Sequence, residues 1–328
     1  MIHVRKMLQL GDSPLPRTHH SYSRDAICLA GGSSCGASEP SNHAVNGDAG
    51  RPSDKDLQRS NGSGRIVVSG SEKGTRIMEV FQQSPIRILF PRIGGSRAEE
   101  AVLINTAGGI AGGDRLKISV TALESASIAV TSQAAERVYR ALDQPAHIST
   151  KLQACDTAKL AWLPQETIVF NQARFRRETE IELSSGAELL ALEWLVLGRA
   201  AHGEAIVAGH ISDSWRLRKD GRLIWADTLR IHDEIFPHLH RKALLSDSRA
   251  VATLIYFGPC LEKSLEFLRD IASSLDCHCA VSSVAGLIVV RFAANQFSEL
   301  RRAMRVVIKQ FDQQLGGGPF RVPKMWTC

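Results

Sequence analysis

The ten residues from Asn105 to Asp114, NTAGGIAGGD, set four glycines around Ile110 and Ala111 and close on an aspartate. Such a stretch can cradle a phosphate, shape a catalytic loop, or turn a corner between strands. A P-loop needs GxxxxGK[ST], so that backbone amides wrap the phosphates while the lysine and the hydroxyl reach phosphate and magnesium. Here the glycines lead into Asp114 and Arg115, with neither group in place. A dinucleotide fingerprint needs G-x-G-x-x-G opening a helix. The third position from Gly108 is Ile110, and the following RLKISV reads as a strand. Asp114 would moreover repel a phosphate. What remains is strand, glycine corner with positive-φ positions, strand, with Asp114 hydrogen-bonding its own turn. The functional alternative is that Gly108, Gly109, Gly112 and Gly113 let a partner surface approach the backbone closely.

Other stretches carry chemistry-bearing residues in less convincing settings. GSSCG, Gly32 to Gly36, matches the hydrolase elbow G-x-S-x-G, but that elbow must sit between a buried strand and a helix so that its serine is exposed on a strained turn. Ser34 has neither neighbour. CHC at Cys277 to Cys279 and HDEIFPHLH at His232 to His240 look metal-like. Structural zinc wants two properly spaced ligand pairs in a tetrahedral cage, and one C-x-C falls short.

The elements that must position these residues belong to an ordinary globular chain of 328 residues, with 44% apolar, 23% charged and 6% aromatic residues. The formal charge of +6 favours acidic partners. A nucleic-acid binder would show a basic stripe with interleaved aromatics. The tract RRAMRVVIK instead shares helical spacing with apolar residues and reads as a solvated helix face. Seven scattered cysteines form no disulfide framework, which suits a reducing compartment. MIHVRKMLQLGDSPLP lacks the apolar run of a secretory signal, and LLALEWLVLG, the best candidate for a membrane span, is broken by Glu193. A cytoplasmic protein is expected.

Residues 1–65 are rich in Ser, Gly, Asp, Asn and Pro without apolar periodicity, and are expected to form a disordered tail. Order is expected over 66–328. GRIVVSG, SPIRILFP, AVLINTAG, RLKISVTAL, ASIAVTSQ, HISTKLQA, KLAWLPQ, TIVFNQ, TEIELSSG, RLRKDGRLIWAD and DTLRIH all read as strands, many with period-2 alternation. RVYRAL reads as a turn or two of helix, and GAELLALEWLVLGR reads either way. From about Ala250 the pattern becomes β-α-β-α: VATLIYFG, the helix LEKSLEFLRDIASSL, the strand AVSSVAGLIVVRF, and a second helix. That helix follows an Asn295 cap, repeats Phe297, Leu300, Met304, Val307, Phe311 and Leu315, and stops at Gly316 to Pro319. This tail fits either a separate α/β subdomain or helices laid on one side of the sheets. The expected class is mainly β with a few helices, α+β.

Taken together, QQSPIRILFP, LINTAGGIAGGDRL, VTSQAAERVYR, WLPQETIVF, GAELLALEWLVLGR followed by HGE, and RVPKMW resemble the urease accessory proteins called UreD or UreH, over roughly residues 66–328. The resemblance implies a non-enzymatic scaffold with a two-layer, β-helix-like stack of strands. Members bind apo-urease and UreF, and through UreF the GTPase UreG, while nickel is installed in urease. No tightly bound cofactor is implied. Transient nickel contacts would fall on the family-matching carboxylates Asp114, Glu166, Glu193 and Glu204, because weak, exchangeable oxygen ligands suit a conduit. The alternative for each is an ordinary ion pair, for instance Glu204 with Arg199. His202 stands where the family has methionine, and beside Glu204 it can add a ligand. The glycine corner with Trp162, Pro164, Gln165 and Arg199 would shape the surface shared with partners. Two rivals stay open: a hydrolase using Ser34 or the pair Glu166 and Glu193, and a basic nucleic-acid-binding module.

Overall fold

A computed structural model describes residues 58–91, 98–199, 202–315 and 318–326. Ser34 and the expected tail up to residue 57 therefore lie outside the described residues. Seventeen strands and two α-helices are present among the described residues. The first strands are β1 (Asn61–Ser71), β2 (Gly74–Gln83), β3 (Ile86–Leu89), β4 (Glu99–Asn105), β5 (Arg115–Ala122) and β6 (Ser127–Ser132). They are followed by β7 (Glu136–Val138), β8 (Ala146–Ala154), β9 (Lys159–Trp162), β10 (Thr167–Val169), β11 (Arg174–Leu183) and β12 (Glu188–Leu197). The chain ends with β13 (His210–Lys219), β14 (Arg222–His232), β15 (Ala250–Phe257), α1 (Leu261–Ala272), β16 (His278–Val284), β17 (Leu287–Ala294) and α2 (Phe297–Gln314).

From β4 to β13 the chain passes back and forth between two sheets. One has seven strands in the order β14-β13-β11-β8-β5-β1-β2; the other has ten, with β16-β17-β15-β12-β9-β6-β4-β3 as its path and β10 and β7 beside it. Within each sheet the neighbours from successive passes are parallel, as in β5 with β8, β8 with β11, β6 with β9 and β9 with β12. The result is the expected β-helix-like winding. Alternating residues such as Ile66, Val120, Phe175 and Ile211 from the first sheet meet Ile128, Leu160 and Leu189 from the second in one buried layer. The outer face of the ten-stranded sheet is covered in turn by α2, by Leu268 of α1, and by Phe320 and Trp326. The C-terminal strands thus extend the main sheet, and both helices lie on its one side.

Several local expectations are corrected. Arg137 and Val138, the first residues of the stretch read as helical, belong with Glu136 to β7, which pairs in parallel with β10. The tertiary ladder overrides the weak helical spacing. Strand β12 resolves the ambiguous stretch: it is buried along nearly its whole length, and covering on both faces erases the alternation that would mark a strand. RLRKDGRLIWAD is the end of β13, a turn and β14, because Asp220 and Gly221 have φ of 49° and 76°. AVSSVAGLIVVRF likewise divides at Ala285 and Gly286, φ 49° and 78°. Paired positive φ values give the tight hairpin whose twist matches its strands. The C-terminal pattern is accordingly β-α-β-β-α. Helix α2 is capped by Gln296 rather than Asn295, in a reciprocal arrangement with Glu299.

Candidate functional site

The corner from Asn105 to Asp114 is a tightly bonded loop folded onto β7. Asp114 is buried, its Oδ1 accepting from the Ser60 amide at 2.7 Å and its Oδ2 from the Ala111 amide at 2.8 Å. Gly108, Gly109 and Gly113 have φ of 74°, 155° and 86°. Two close approaches explain why side chains are missing here. A Cβ on Gly109 would stand 2.4 Å from the Tyr139 ring, and one on Gly112 would stand 2.6 Å from both the Ala141 Cβ and the Gln144 carbonyl oxygen. The Tyr139 hydroxyl donates to the Gly108 carbonyl at 2.9 Å, and Ile110 bridges in parallel to Val138. Asn105 fastens the loop from below, its Nδ2 donating to the Gly109 carbonyl at 3.2 Å and to Glu136 Oε2 at 3.0 Å.

Beneath this loop the two sheets face each other across a cavity of about 70 Å³, whose walls include Asn105, Glu136, Trp162, Gln165, Arg177 and Glu193. The winding explains how these residues meet. In the seven-stranded sheet Leu116, Ile148, Arg177 and Asp213 are successive partners in parallel register, so Arg177 and Asp213 are neighbours. In the other sheet Glu136, Thr167 and Leu195 are successive partners, while Trp162 pairs with Ala191, two residues before Glu193.

Arg177 spans the gap between the sheets. Its Nε and Nη2 donate to Asp213 Oδ1 and Oδ2 at 2.9 and 2.7 Å, while Nη1 reaches Glu193 Oε2 at 2.6 Å and Thr167 Oγ1 at 3.1 Å. Trp162 Nε1 donates to the other Glu193 oxygen at 2.8 Å. Burial opposes the guanidinium charge, but Asp213 and Glu193 outweigh it and hold Arg177 protonated above its usual range. Burial pushes Glu193 up to about 7, because the lost hydration, with Asp213 nearby, exceeds the pull of Arg177 and of the Trp162 hydrogen bond. Two carboxylates share one guanidinium, so a proton on Glu193 restores neutrality to the cluster. Burial also raises Glu136, against the hydrogen bond from Asn105.

The remaining expected residues lie around this centre. Pro164 accepts from Trp194 Nε1 at 3.0 Å. Gln165 donates to the Gln133 carbonyl at 2.6 Å and accepts from Arg301 at 3.3 Å, which ties the cavity wall to α2. Glu166 is buried but does not line the cavity, and its Oε2 has no hydrogen-bond partner among the described residues. Burial raises its carboxyl, with Arg301 opposing. Glu204 is held by Arg199 through Nε and Nη2 at 2.9 and 3.1 Å, the ion pair weighed from sequence, and that hydrogen bonding lowers its carboxyl. The Arg199 guanidinium also lies 4.3 Å from the Phe170 ring centroid. His202 is exposed on the same turn, its amide donating to the Arg199 carbonyl. Among the described residues no three His, Cys, Asp or Glu side chains converge as metal ligands, CHC and HDEIFPHLH included. Cys277 and Cys279 pack partly buried beneath the helices, where burial pushes the Cys279 thiol up to about 12.

Sequence reasoning missed Arg177, Asp213 and Glu136. A signal was available for the first two. Phe175, Arg177, Thr179, Ile181 and Ile211, Asp213, Trp215, Leu217 each place one ion at an inward position of a period-2 strand, with opposite signs.

A family model described as UreD urease accessory protein matches residues 60–327. The chain belongs to the UreD family. It is 43% identical to the urease accessory protein UreD of Xanthobacter autotrophicus over 245 residues, 75% of this chain and 84% of that one. It is 38% identical to the UreD of a Methylobacterium species over 277 residues, 82% and 95% of the two chains. A third UreD, from Rhizobium johnstonii, is 39% identical over 271 residues, 82% and 96%. These relatives are named as urease accessory proteins, which favours the scaffold reading over the hydrolase rival. The carboxylates offered for that rival have different surroundings, Glu193 facing Arg177 across the cavity and Glu166 facing Arg301. A role in urease maturation follows from UreD membership. No helix among the described residues is long and apolar enough to cross a membrane.

Proposed function

We propose that this chain is a cytoplasmic scaffold of urease maturation that docks on apo-urease and on UreF, with UreG joining through UreF, while nickel is delivered to the urease metallocentre. The observation that carries the reading is the match to the UreD family over 60–327, which includes every motif around the cavity. The geometry supports a passing contact with the metal. The cavity of about 70 Å³ exceeds the roughly 15 Å³ that one water needs, so it can admit an ion with part of its hydration.

Of the carboxylates expected to touch nickel, Glu193 is the one on the cavity wall, and Glu136 stands on the same wall. A cation there would take the place of the Glu193 proton, and the adjacent Arg177 charge would keep its hold weak. Asp114 is engaged by two amides and Glu204 by Arg199, so their part is to hold their own loops. The test is co-expression with apo-urease and UreF, followed by affinity capture and an assay of urease activation. Capture of both partners and loss of activation on deleting the gene are expected. Full activation without this chain would refute the proposal.

A further inference from the structure

Along α2 lies an open groove of about 700 Å³, bounded by α2, by Ser274 to Asp276 just beyond α1, and by residues 321–324. Five cations line it: Arg302, Arg305 and Lys309 on α2, with Arg321 and Lys324 opposite. On α2 the three fall at i, i+3 and i+7, all exposed, and none makes an ion pair among the described residues. Like charges at such spacing weaken a helix unless something neutralises them. Arg321 is partly engaged, lying 3.9 Å from the buried Glu100 carboxylate. Apolar Leu275, Val322 and Val306 also line the groove, the last 44% exposed.

We infer that this groove is a docking site for an acidic, amphipathic peptide segment of a partner protein. Its carboxylates would pair with Arg302, Arg305 and Lys309, and its apolar side chains would cover Val306 and Leu275. Charge complementarity selects the occupant. Asp276, Glu299 and Asp312 also line the groove, and no aromatic side chain does. A continuous phosphate backbone would meet those three carboxylates and find no ring to stack on. A peptide can place its own charges to avoid them. This inference stands apart from the reading of the inter-sheet cavity, with which it shares no residue.

The probe is a fluorescein-labelled helical peptide rich in glutamate and leucine, titrated with the full-length chain and followed by anisotropy across a salt series. The expected result is saturable binding that weakens steeply with salt. Reversal of the stripe in R302E/R305E/K309E should weaken it about tenfold or more, three exposed charge pairs being lost. The lysine-and-leucine counterpart should then prefer the reversed variant. R305A should lose about threefold, and V306D should weaken binding with every cation in place. Charge reversal on the other sheet, R216E/R222E, should change nothing; circular dichroism checks that each variant is folded. Unchanged affinity of the reversed variant overturns the inference, as does equal binding of the basic peptide to the wild type. Tighter binding of a single-stranded RNA oligonucleotide would overturn it too.

Discussion

The side chain that decides most at this site is Arg177. It satisfies Asp213, Glu193 and Thr167 at once, at a position 2% exposed. Arg177→Met should therefore cost about 3–5 kcal/mol in urea unfolding, because it leaves two carboxylates in the core without a counter-charge. A loss under about 1 kcal/mol would show that water screens the cluster. Glu193 supplies a pH test. Its carboxyl is raised from 4.5 to about 7, so between those values the folded chain holds a proton that the unfolded chain has released. Stability from this group is complete below pH 4.5 and is lost as pH rises to about 7, by on the order of 3 kcal/mol. Glu193→Gln carries no such proton. Wild type should lose stability relative to this variant across that interval, and parallel pH profiles would contradict it. Burial also raises Glu100, Glu136 and Glu166, but their slopes are common to both proteins and cancel in the difference.

At the level of elements, the glycine corner and β12 teach opposite lessons. The corner announced its geometry, since no other residue type tolerates such crowding. Gly112→Ala should destabilise by about 1–3 kcal/mol, because its new methyl meets a backbone carbonyl that cannot step aside. Gly109→Ala should displace Tyr139, breaking its bond to the Gly108 carbonyl. Gly108→Ala has open space and meets only the left-handed penalty of about 1–2 kcal/mol. Thermal unfolding of the three variants checks the order, with Gly108→Ala the mildest. Strand β12 concealed its nature, because a strand covered by the facing sheet with Arg177 on one side and by α2 on the other needs apolar residues on both. The charge in its middle, Glu193, read from sequence as a break in a membrane span, is in fact its link to the facing sheet. The hairpin turns at Asp220 and Ala285 did carry a local signal, a glycine at the second turn position in each, which the reading of one continuous strand passed over.

For the molecule as a whole, the C-terminal segment joins the helical layer to the site. Trp326 lies 4.9 Å from Trp194 between ring centroids, and its carbonyl accepts from Arg301, which also donates to Gln165 on the cavity wall. Trp326→Ala should cost about 3–5 kcal/mol. Hydrogen exchange should then rise in α2 before it rises in β5 and β8, whose core lies between the sheets. Equal acceleration in all three would mean that the layers unfold as one unit. Most strand positions, the positive-φ corner and the β-then-mixed order of elements were written locally, in turn residues and period-2 alternation that depend on near neighbours. The motifs also sufficed to indicate the family. The meeting of Arg177 with Asp213, 36 residues apart, and with Glu193 from the opposite sheet depended on how many residues each pass of the winding takes. Only the closed tertiary fold sets that register, since a shift of one residue would turn each ion from the core to solvent.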